Sequence, residues 1–257
     1  MDDSDLTTND LTNDLAKASK SSYNMSKRGS VESRLANAQI ESPENYNVIA
    51  EHSNKDMTTY KHKDDDTYII AHRGTDLTGS AKNILKDVVS DFNIAIGNEQ
   101  NDGLHKKRTK RTEKIIRNFP NSKIYLTGHS LGSSTANSAM NNSKLIRDNV
   151  NELHTFNGGS SMLTSKKHKD TSNIGKMLHG KSYHHTVNGD EISHRVKEGY
   201  TGNHLSYEPK KKNKIPKRIF NALKPLIPNS KAGKSAKVLT GKFLDTLNSH
   251  SIDNFIS

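Results

Sequence analysis

Residues 128–132 of this 257-residue chain have the sequence Gly-His-Ser-Leu-Gly. The preceding run, 122–127 (SKIYLT), predicts a short buried strand, and the following run of small residues, 133–140 (SSTANSAM), predicts a helix. A serine between two glycines at a sharp strand-to-helix turn is typical of a catalytic nucleophile, because larger side chains at the glycine positions would collide across the turn. We therefore predict that Ser130 is a nucleophile and that the Leu131 N–H group faces the oxyanion formed during acyl transfer. A chance match is the alternative, and the flanking strand and helix argue against it.

The composition limits the classes of protein to which the chain can belong. It has no cysteine, which excludes disulfides and cysteine metal sites, and its net charge of +11 favours an anionic partner such as phospholipid headgroups, nucleic acid or an acidic protein. A coding bias toward Lys, Asn and Ser would produce the same charge. The N-terminus has no apolar run and no stretch reaches the length of a membrane span, so we expect neither a secretory signal nor an anchor, which is compatible with an intracellular or virus-associated location.

Predicted strands alternate with predicted helices along most of the chain. The strands are expected at residues 46–51, 57–61, 68–71, 122–127, 151–157 and 182–187. This alternation predicts an α/β fold with a mostly parallel central sheet flanked by helices. We expect a polar, flexible N-terminus over residues 1–14, a single domain over 15–257, and a basic Lys/Pro-rich insertion at about 209–242 within that domain.

The segment 103–119 predicts a basic amphipathic helix that ends before a proline. Its apolar side chains, expected to face the core, are Leu104, Ile115, Ile116 and Phe119. Its basic side chains, expected to face solvent, are Lys106, Lys107, Arg108, Lys110, Arg111 and Lys114. Further along, residues 160–181 are expected to form a basic loop.

A serine nucleophile needs a general base, usually histidine, and a carboxylate that orients this base. Asp190 follows the strand predicted at 182–187, in an Asn-Gly-Asp turn well downstream of Ser130, and we predict that it is the acid. Glu191 is its nearest competitor, and an aspartate with only a turn-forming role is the alternative.

Three histidines downstream of Asp190 are candidates for the base. His194 lies four residues from Asp190, which is close for a residue expected on a separate loop. His204 lies a short distance further along the chain, and His250 lies near its C-terminal end. The residues alone leave this choice open.

The second half of an oxyanion hole is expected on a loop that follows an earlier strand. Residues 73–75 (Arg-Gly-Thr) directly follow the apolar strand predicted at 68–71. Glycine allows the backbone to approach a substrate closely, and Thr75 offers both an N–H group and a hydroxyl. We therefore predict that Thr75 and Leu131 form the oxyanion hole.

Four short motifs occur in an order typical of one family, namely 71–75 (AHRGT), 83–87 (NILKD), 128–132 (GHSLG) and 190–194 (DEISH). The chain thereby resembles the class 3 (fungal-type) lipases, which have the α/β-hydrolase fold, over roughly residues 15–257. The resemblance implies a carboxylic ester hydrolase that cleaves acylglycerol or phospholipid esters at a membrane or lipid–water interface, with no cofactor and no metal. It implies the site residues Ser130 (nucleophile), Asp190 (acid), Thr75 and Leu131 (oxyanion hole).

The resemblance also favours one histidine. In this family the catalytic histidine lies about as far beyond the acid as the acid lies beyond the serine, which implies His250, with His204 as the alternative base. The chain departs from the family pattern at Ser133, where a glycine is usual, and at His72, where an aromatic residue is usual. The segment that would form a lid, 76–87, is short and modestly apolar, so strict interfacial activation is not expected.

A binding protein without catalytic activity is the alternative function. The basic tail has an apolar stripe at positions 219, 220, 223, 226 and 227, and this combination is typical of segments that dock on anionic phospholipid surfaces. A hydrolase fold that has lost its activity could bind membranes in this way. A nucleic-acid partner is not expected, because aromatic residues are few and no recognition motif is present.

Overall fold

The described part of the chain is built around a seven-stranded sheet whose strand order follows the chain from β1 to β7. The computed structural model describes residues 3–74, 103–159, 168–190, 193, 196–210 and 251–256. The strands are β1 (Tyr46–Val48), β2 (Met57–His62), β3 (Thr67–His72), β4 (Lys123–His129), β5 (Val150–Phe156), β6 (Ser182–Val187) and β7 (Asn203–Tyr207). Strands β1, β2 and β3 pair antiparallel, whereas all pairs from β3 to β7 are parallel. The predicted α/β fold with a mostly parallel sheet is therefore confirmed.

Helices connect the parallel strands, because a parallel neighbour can be reached only by a crossover. The helices of the described ranges are α1 (Asp3–Ser21), α2 (Val31–Ile40), α3 (Gly103–Asn118), α4 (Leu131–Asn142), α5 (Lys144–Asn149), α6 (Asn173–His179) and α7 (Val196–Gly199). Helix α3 precedes β4, α4 and α5 join β4 to β5, α6 precedes β6, and α7 lies between β6 and β7. The carboxyl ends of β3 to β7 therefore share one edge of the sheet, which is where ligands bind in open α/β sheets.

Two apolar clusters cover the two faces of the sheet. Because successive strand residues point to opposite faces, Ile70 packs on one side of β3, and Ile69 and Ala71 pack on the other. The Ile70 side is covered by α3, α4 and α5, through Ile115, Ile116 and their neighbours. The opposite side is covered by α1 and by a 3-10 turn at Ile252–Phe255. None of the helices in the described ranges is long and apolar enough to cross a membrane.

Helix α1 begins at Asp3, within the polar segment 1–14, and Leu15, at the start of the predicted domain, is fully buried against the sheet. The structure differs from the sequence predictions in three places. Helix α6 lies within 160–181, where a loop was expected, and β7 was not predicted. Arg108 was expected to face solvent but is 2% exposed, because it lies on the same side of α3 as the buried Ile115.

Candidate active site

The turn between β4 and α4 holds Ser130 in a backbone conformation that residues with a side chain rarely adopt. Its φ is 56° and its ψ is −124°. Such a conformation costs roughly 1–3 kcal/mol and persists only where the surrounding structure enforces it. The Ser130 N–H group donates to the Phe156 carbonyl (3.0 Å), and the Ser130 carbonyl accepts from the N–H groups of Ser133 (2.9 Å) and Ser134 (3.3 Å). The strand, sharp turn and helix predicted around Ser130 are thus present.

Two glycines of the GHSLG motif lie where backbones touch. A Cβ atom on Gly128 would lie 2.4 Å from the Gly132 carbonyl carbon, and a Cβ atom on Gly132 would lie 2.1 Å from the His72 carbonyl oxygen. Both distances are far below ordinary van der Waals contact. Gly128 therefore lets the turn close on itself, and Gly132 lets α4 pack directly against the end of β3.

Ser133, where the resembled family usually has glycine, joins the turn to the neighbouring strand. Its Oγ lies 2.6 Å from the Gly128 carbonyl oxygen and 3.0 Å from the Phe156 carbonyl oxygen, and it accepts a hydrogen bond from the Phe156 N–H group (3.1 Å). The side chain is completely buried. The hydroxyl thus bridges β4, α4 and β5 at the point where the Ser130 backbone is strained.

Arg108 of α3 connects the carboxyl end of β3 to α4. Its Nη1 donates to the Arg73 carbonyl (2.6 Å) and to Thr135 Oγ1 (3.0 Å). One residue earlier, Lys107 Nζ donates to Asp56 Oδ2 (2.7 Å). Burial tends to raise the pKa of Asp56, but the hydrogen bond from Lys107 and the charges of Arg108 and Arg73 outweigh burial and lower it. Three cations and one carboxylate therefore surround the backbone that leads into the predicted oxyanion loop.

His72, where the family usually has an aromatic residue, extends this buried polar network. Its Nδ1 is hydrogen-bonded to Thr135 Oγ1 (3.0 Å) and its Nε2 to Thr112 Oγ1 (2.9 Å). Burial, and then the charges of Arg108 and His105, lower the pKa of His72 well below its ordinary value. The ring is therefore neutral in the fold, and directional hydrogen bonds between β3, α3 and α4 replace the apolar contacts of an aromatic side chain.

Tyr23 brings the N-terminal part of the chain to the site. Its Oη is hydrogen-bonded to His129 Nδ1 (2.9 Å), next to Ser130 in the chain. The same Oη lies against Gly74, where a Cβ atom would be 2.1 Å away. Tyr23 could not be predicted from the sequence, because its 3-10 turn (Ser22–Ser26) has no pattern that links it to a motif so far along the chain.

Asp190 lies in the turn after β6, at the same edge of the sheet as Ser130, with β5 between their strands. It is 2% exposed, its Oδ2 accepts a hydrogen bond from Ser193 Oγ (2.7 Å), and its N–H donates to the Val187 carbonyl (3.1 Å). Asn157, whose φ is 44°, accepts from the Val187 N–H group through its Oδ1 (3.0 Å) and so ties β5 to the start of this turn. A cavity of about 300 Å³ opens beside Asp190.

A partly buried chain of hydrogen bonds crosses β5, β6 and β7 on the α1 face of the sheet. It links Glu152 Oε2 to His154 Nε2 (2.9 Å), His154 Nδ1 to His185 Nε2 (3.0 Å), and His185 Nδ1 to Tyr207 Oη (2.8 Å). Burial, and then the charges of His154 and His184, lower the pKa of His185 well below its ordinary value. Within the described ranges no group of three or more His, Asp or Glu side chains is arranged to hold a metal ion.

The structure places the other predicted site residues as follows. Leu131 is the first residue of α4, directly after Ser130. His204 lies on β7 in register with His184, and its Nε2 is hydrogen-bonded to the Tyr200 carbonyl (3.1 Å). Because β7 is three strand spacings, roughly 14 Å, from β4, the structure does not bring His204 to Ser130. The remaining predicted residues lie outside the described ranges: Thr75, Glu191, His194 and His250.

The mostly parallel sheet, together with the strained strand-to-helix turn at Ser130, defines an α/β-hydrolase fold. The profile of the family described as Mbeg1-like matches residues 30–193, which is more than half of the chain. The chain therefore belongs to the Mbeg1-like family. No curated protein sequence matches it significantly.

Solved structures similar to this chain include fungal lipases. One is the nonglycosylated LIP2 lipase of Yarrowia lipolytica, with 14% sequence identity, a TM-score of 0.48, and coverage of 82% of this chain and 81% of that one. Another is a lipase from Rhizopus microsporus var. chinensis, with 14% identity, a TM-score of 0.42, and coverage of 78% and 72%. The α/β fold that the motif resemblance to fungal-type lipases implies is the one seen in the strand order and in the turn at Ser130.

Proposed function

We propose that the protein is a lipase-like serine ester hydrolase that cleaves acylglycerol or phospholipid esters through a Ser130–His250–Asp190 triad. The observation that carries this proposal is the backbone of Ser130. The Gly128–Gly132 and Gly132–His72 contacts and the Ser133 bridge all enforce a strained turn there. Such strain is typical of functional positions, and Ser130 is a partly exposed residue directly before the first residue of α4.

The proposed reaction follows the order of proton transfers in serine hydrolases. Ser130 Oγ attacks the ester carbonyl carbon while the imidazole of His250 accepts the hydroxyl proton, and buried Asp190 stabilises the resulting imidazolium. The N–H groups of Leu131 and Thr75 stabilise the tetrahedral oxyanion. The alcohol leaves with the proton from His250, and water then attacks the acyl-enzyme with the same histidine as base. No metal or cofactor takes part in these steps.

A serine-directed fluorophosphonate probe tests the nucleophile. We expect it to label the wild-type protein and not the Ser130→Ala variant, whereas Ser138→Ala, a change in the middle of the same helix, should leave labelling intact. Hydrolysis of p-nitrophenyl esters with short and long acyl chains should follow the same pattern. Wild-type protein that is neither labelled nor faster than Ser130→Ala would refute the proposed activity and favour the membrane-binding alternative.

Histidine variants test the base. We expect His250→Ala to lower kcat by roughly a thousandfold or more, as loss of a triad member does. His204→Ala should retain most of the activity, because His204 lies on β7 away from β4. Loss of activity in His204→Ala but not in His250→Ala would indicate that His204 is the base. Loss of activity only in His194→Ala would indicate that His194 is the base.

A further inference from the structure

We propose that the exposed face of α3 is a docking surface for anionic lipid headgroups. Four exposed basic side chains follow one side of the helix at intervals of four, four and three residues: Lys106, Lys110, Lys114 and Arg117. At 100° and 1.5 Å per residue this spacing places them on one face, over a length of roughly 16 Å. We call these four residues the basic face. Docking through the basic face is a property separate from the proposed hydrolysis, and it involves a different segment from the basic insertion at about 209–242.

The basic face has little compensating negative charge on its own helix. Like charges three or four residues apart destabilise a helix, and the basic face has three such neighbouring pairs. The one acid of α3, Glu113, lies at the edge of the face. Its Oε1 accepts a hydrogen bond from Ser143 Oγ (2.6 Å), and its Oε2 is 3.8 Å from Arg117 Nη2. The Glu113 side chain is thus directed toward the start of α5. Repulsion among the four cations of the basic face remains, and a bound polyanion would relieve it.

The opposite side of α3 fixes the direction in which the basic face points. Arg108 is hydrogen-bonded to the Arg73 carbonyl and to Thr135, Thr112 is hydrogen-bonded to His72, and Ile115 is buried in the core. The helix therefore cannot rotate about its axis without breaking buried hydrogen bonds. A rigid, straight row of cations suits a broad anionic surface better than a single small anion.

The position of α3 and the chemistry of its face indicate lipid rather than nucleic acid. The first turns of α3 reach the site edge, because Lys107 binds Asp56 and Arg108 binds the Arg73 carbonyl next to the predicted oxyanion loop. Docking on a bilayer through α3 would therefore bring this edge of the site close to the lipid. The basic face has no aromatic side chain on which a base could stack.

Vesicle co-sedimentation of the full chain tests this proposal. All proteins would carry Ser130→Ala, so that lipid hydrolysis plays no part and failure of the catalytic proposal cannot affect the result. One variant replaces Lys106, Lys110, Lys114 and Arg117 with glutamine. The control variant replaces the same number of exposed cations elsewhere with glutamine, at Lys27, Arg28, Lys169 and Lys176. The two variants have the same net charge and differ only in where the charge was removed.

Each basic residue near an anionic bilayer strengthens binding by roughly fivefold. We expect the α3 variant to bind phosphatidylcholine–phosphatidylglycerol vesicles at least about tenfold more weakly than the parent, while the control loses less than about threefold. Binding of the parent should weaken with added salt and with pure phosphatidylcholine. Equal losses in the two variants, or an unchanged α3 variant, would overturn the proposal. So would duplex DNA that competes for the same residues with higher affinity than the vesicles.

Discussion

Replacement of Gly132 by alanine should destabilise the protein more than its size suggests. The new Cβ would lie 2.1 Å from the His72 carbonyl oxygen and 3.0 Å from the Arg73 carbonyl carbon, whereas ordinary van der Waals contact begins at 3.4 Å. Relief of the first contact therefore requires α4 and the end of β3 to move apart by more than an ångström. Both sides are backbone, and β3 is held by parallel pairing with β4, so neither can yield by a rotamer change. We expect a loss of about 3 kcal/mol, the upper part of the usual range for overpacking.

Gly103→Ala is the matched control, because a Cβ on this first residue of α3 meets no atom within 4 Å. Alanine has a higher helix propensity than glycine, so we expect this variant to be as stable as the parent or slightly more stable. Chemical denaturation measures both, and the expected loss for Gly132→Ala corresponds to a Tm lower by roughly 6–12 °C in a chain of this size. Equal stability of the two variants would show that α4 and β3 are not in backbone contact.

Three further predictions concern the site and its supports. Ser130→Gly should unfold with a free energy about 1 kcal/mol higher than Ser130→Ala, because only glycine relieves a φ of 56°, and equal values would contradict the strain. Ser133→Ala should lower the free energy of unfolding by about 1–3 kcal/mol, because the Phe156 N–H group and the Gly128 carbonyl both lose the Ser133 hydroxyl as a hydrogen-bond partner. An unchanged denaturation midpoint would refute this prediction. The pKa values of His72 and His185 are lowered in the fold. Their neutral forms therefore contribute their full stability above pH about 6.5, the ordinary pKa of histidine. At lower pH the unfolded chain takes up protons, and the folded state loses up to about 1.4 kcal/mol of stability per pH unit for each residue. Denaturation at several pH values should show a shallower pH dependence in His185→Gln.

The sequence predicted the elements that have a strong local pattern. The apolar strand ends at the predicted turn at Ser130, and β6 has the predicted bounds 182–187. These segments are decided by periodicity and by glycine sterics, which act within a few residues. Strand β7 has exposed and partly exposed residues without clear alternation, and it forms because β6 offers an unpaired edge.

The supports of the site could be predicted only in part. Arg108 is four residues before the buried Thr112 and seven before Ile115, so its helical position indicated the core, but its charge suggested solvent. Its burial depends on acceptors from β3 and α4, which no local pattern encodes. Tyr23 and Asn157 are likewise defined by partners 106 and 30 residues away along the chain. The roles of such residues follow from the donors and acceptors that the tertiary fold brings to them, and these depend on the strand order.

Several of these supports act on the same two backbone segments. On the proposed mechanism one oxyanion donor follows β3 and the other begins α4, so catalysis requires two independent segments to hold their N–H groups around a single oxygen atom. The Gly132–His72 contact sets the distance between them, Arg108 binds the Arg73 carbonyl on one segment and Thr135 on the other, and Tyr23 spans from His129 to Gly74. An error of about 1 Å in such a geometry can lower the rate roughly a hundredfold. An aromatic side chain at position 72 would only fill space, whereas the hydrogen bonds of Arg108 and His72 are directional. They therefore restrain the orientation of the carboxyl end of β3 as well as its distance from α4.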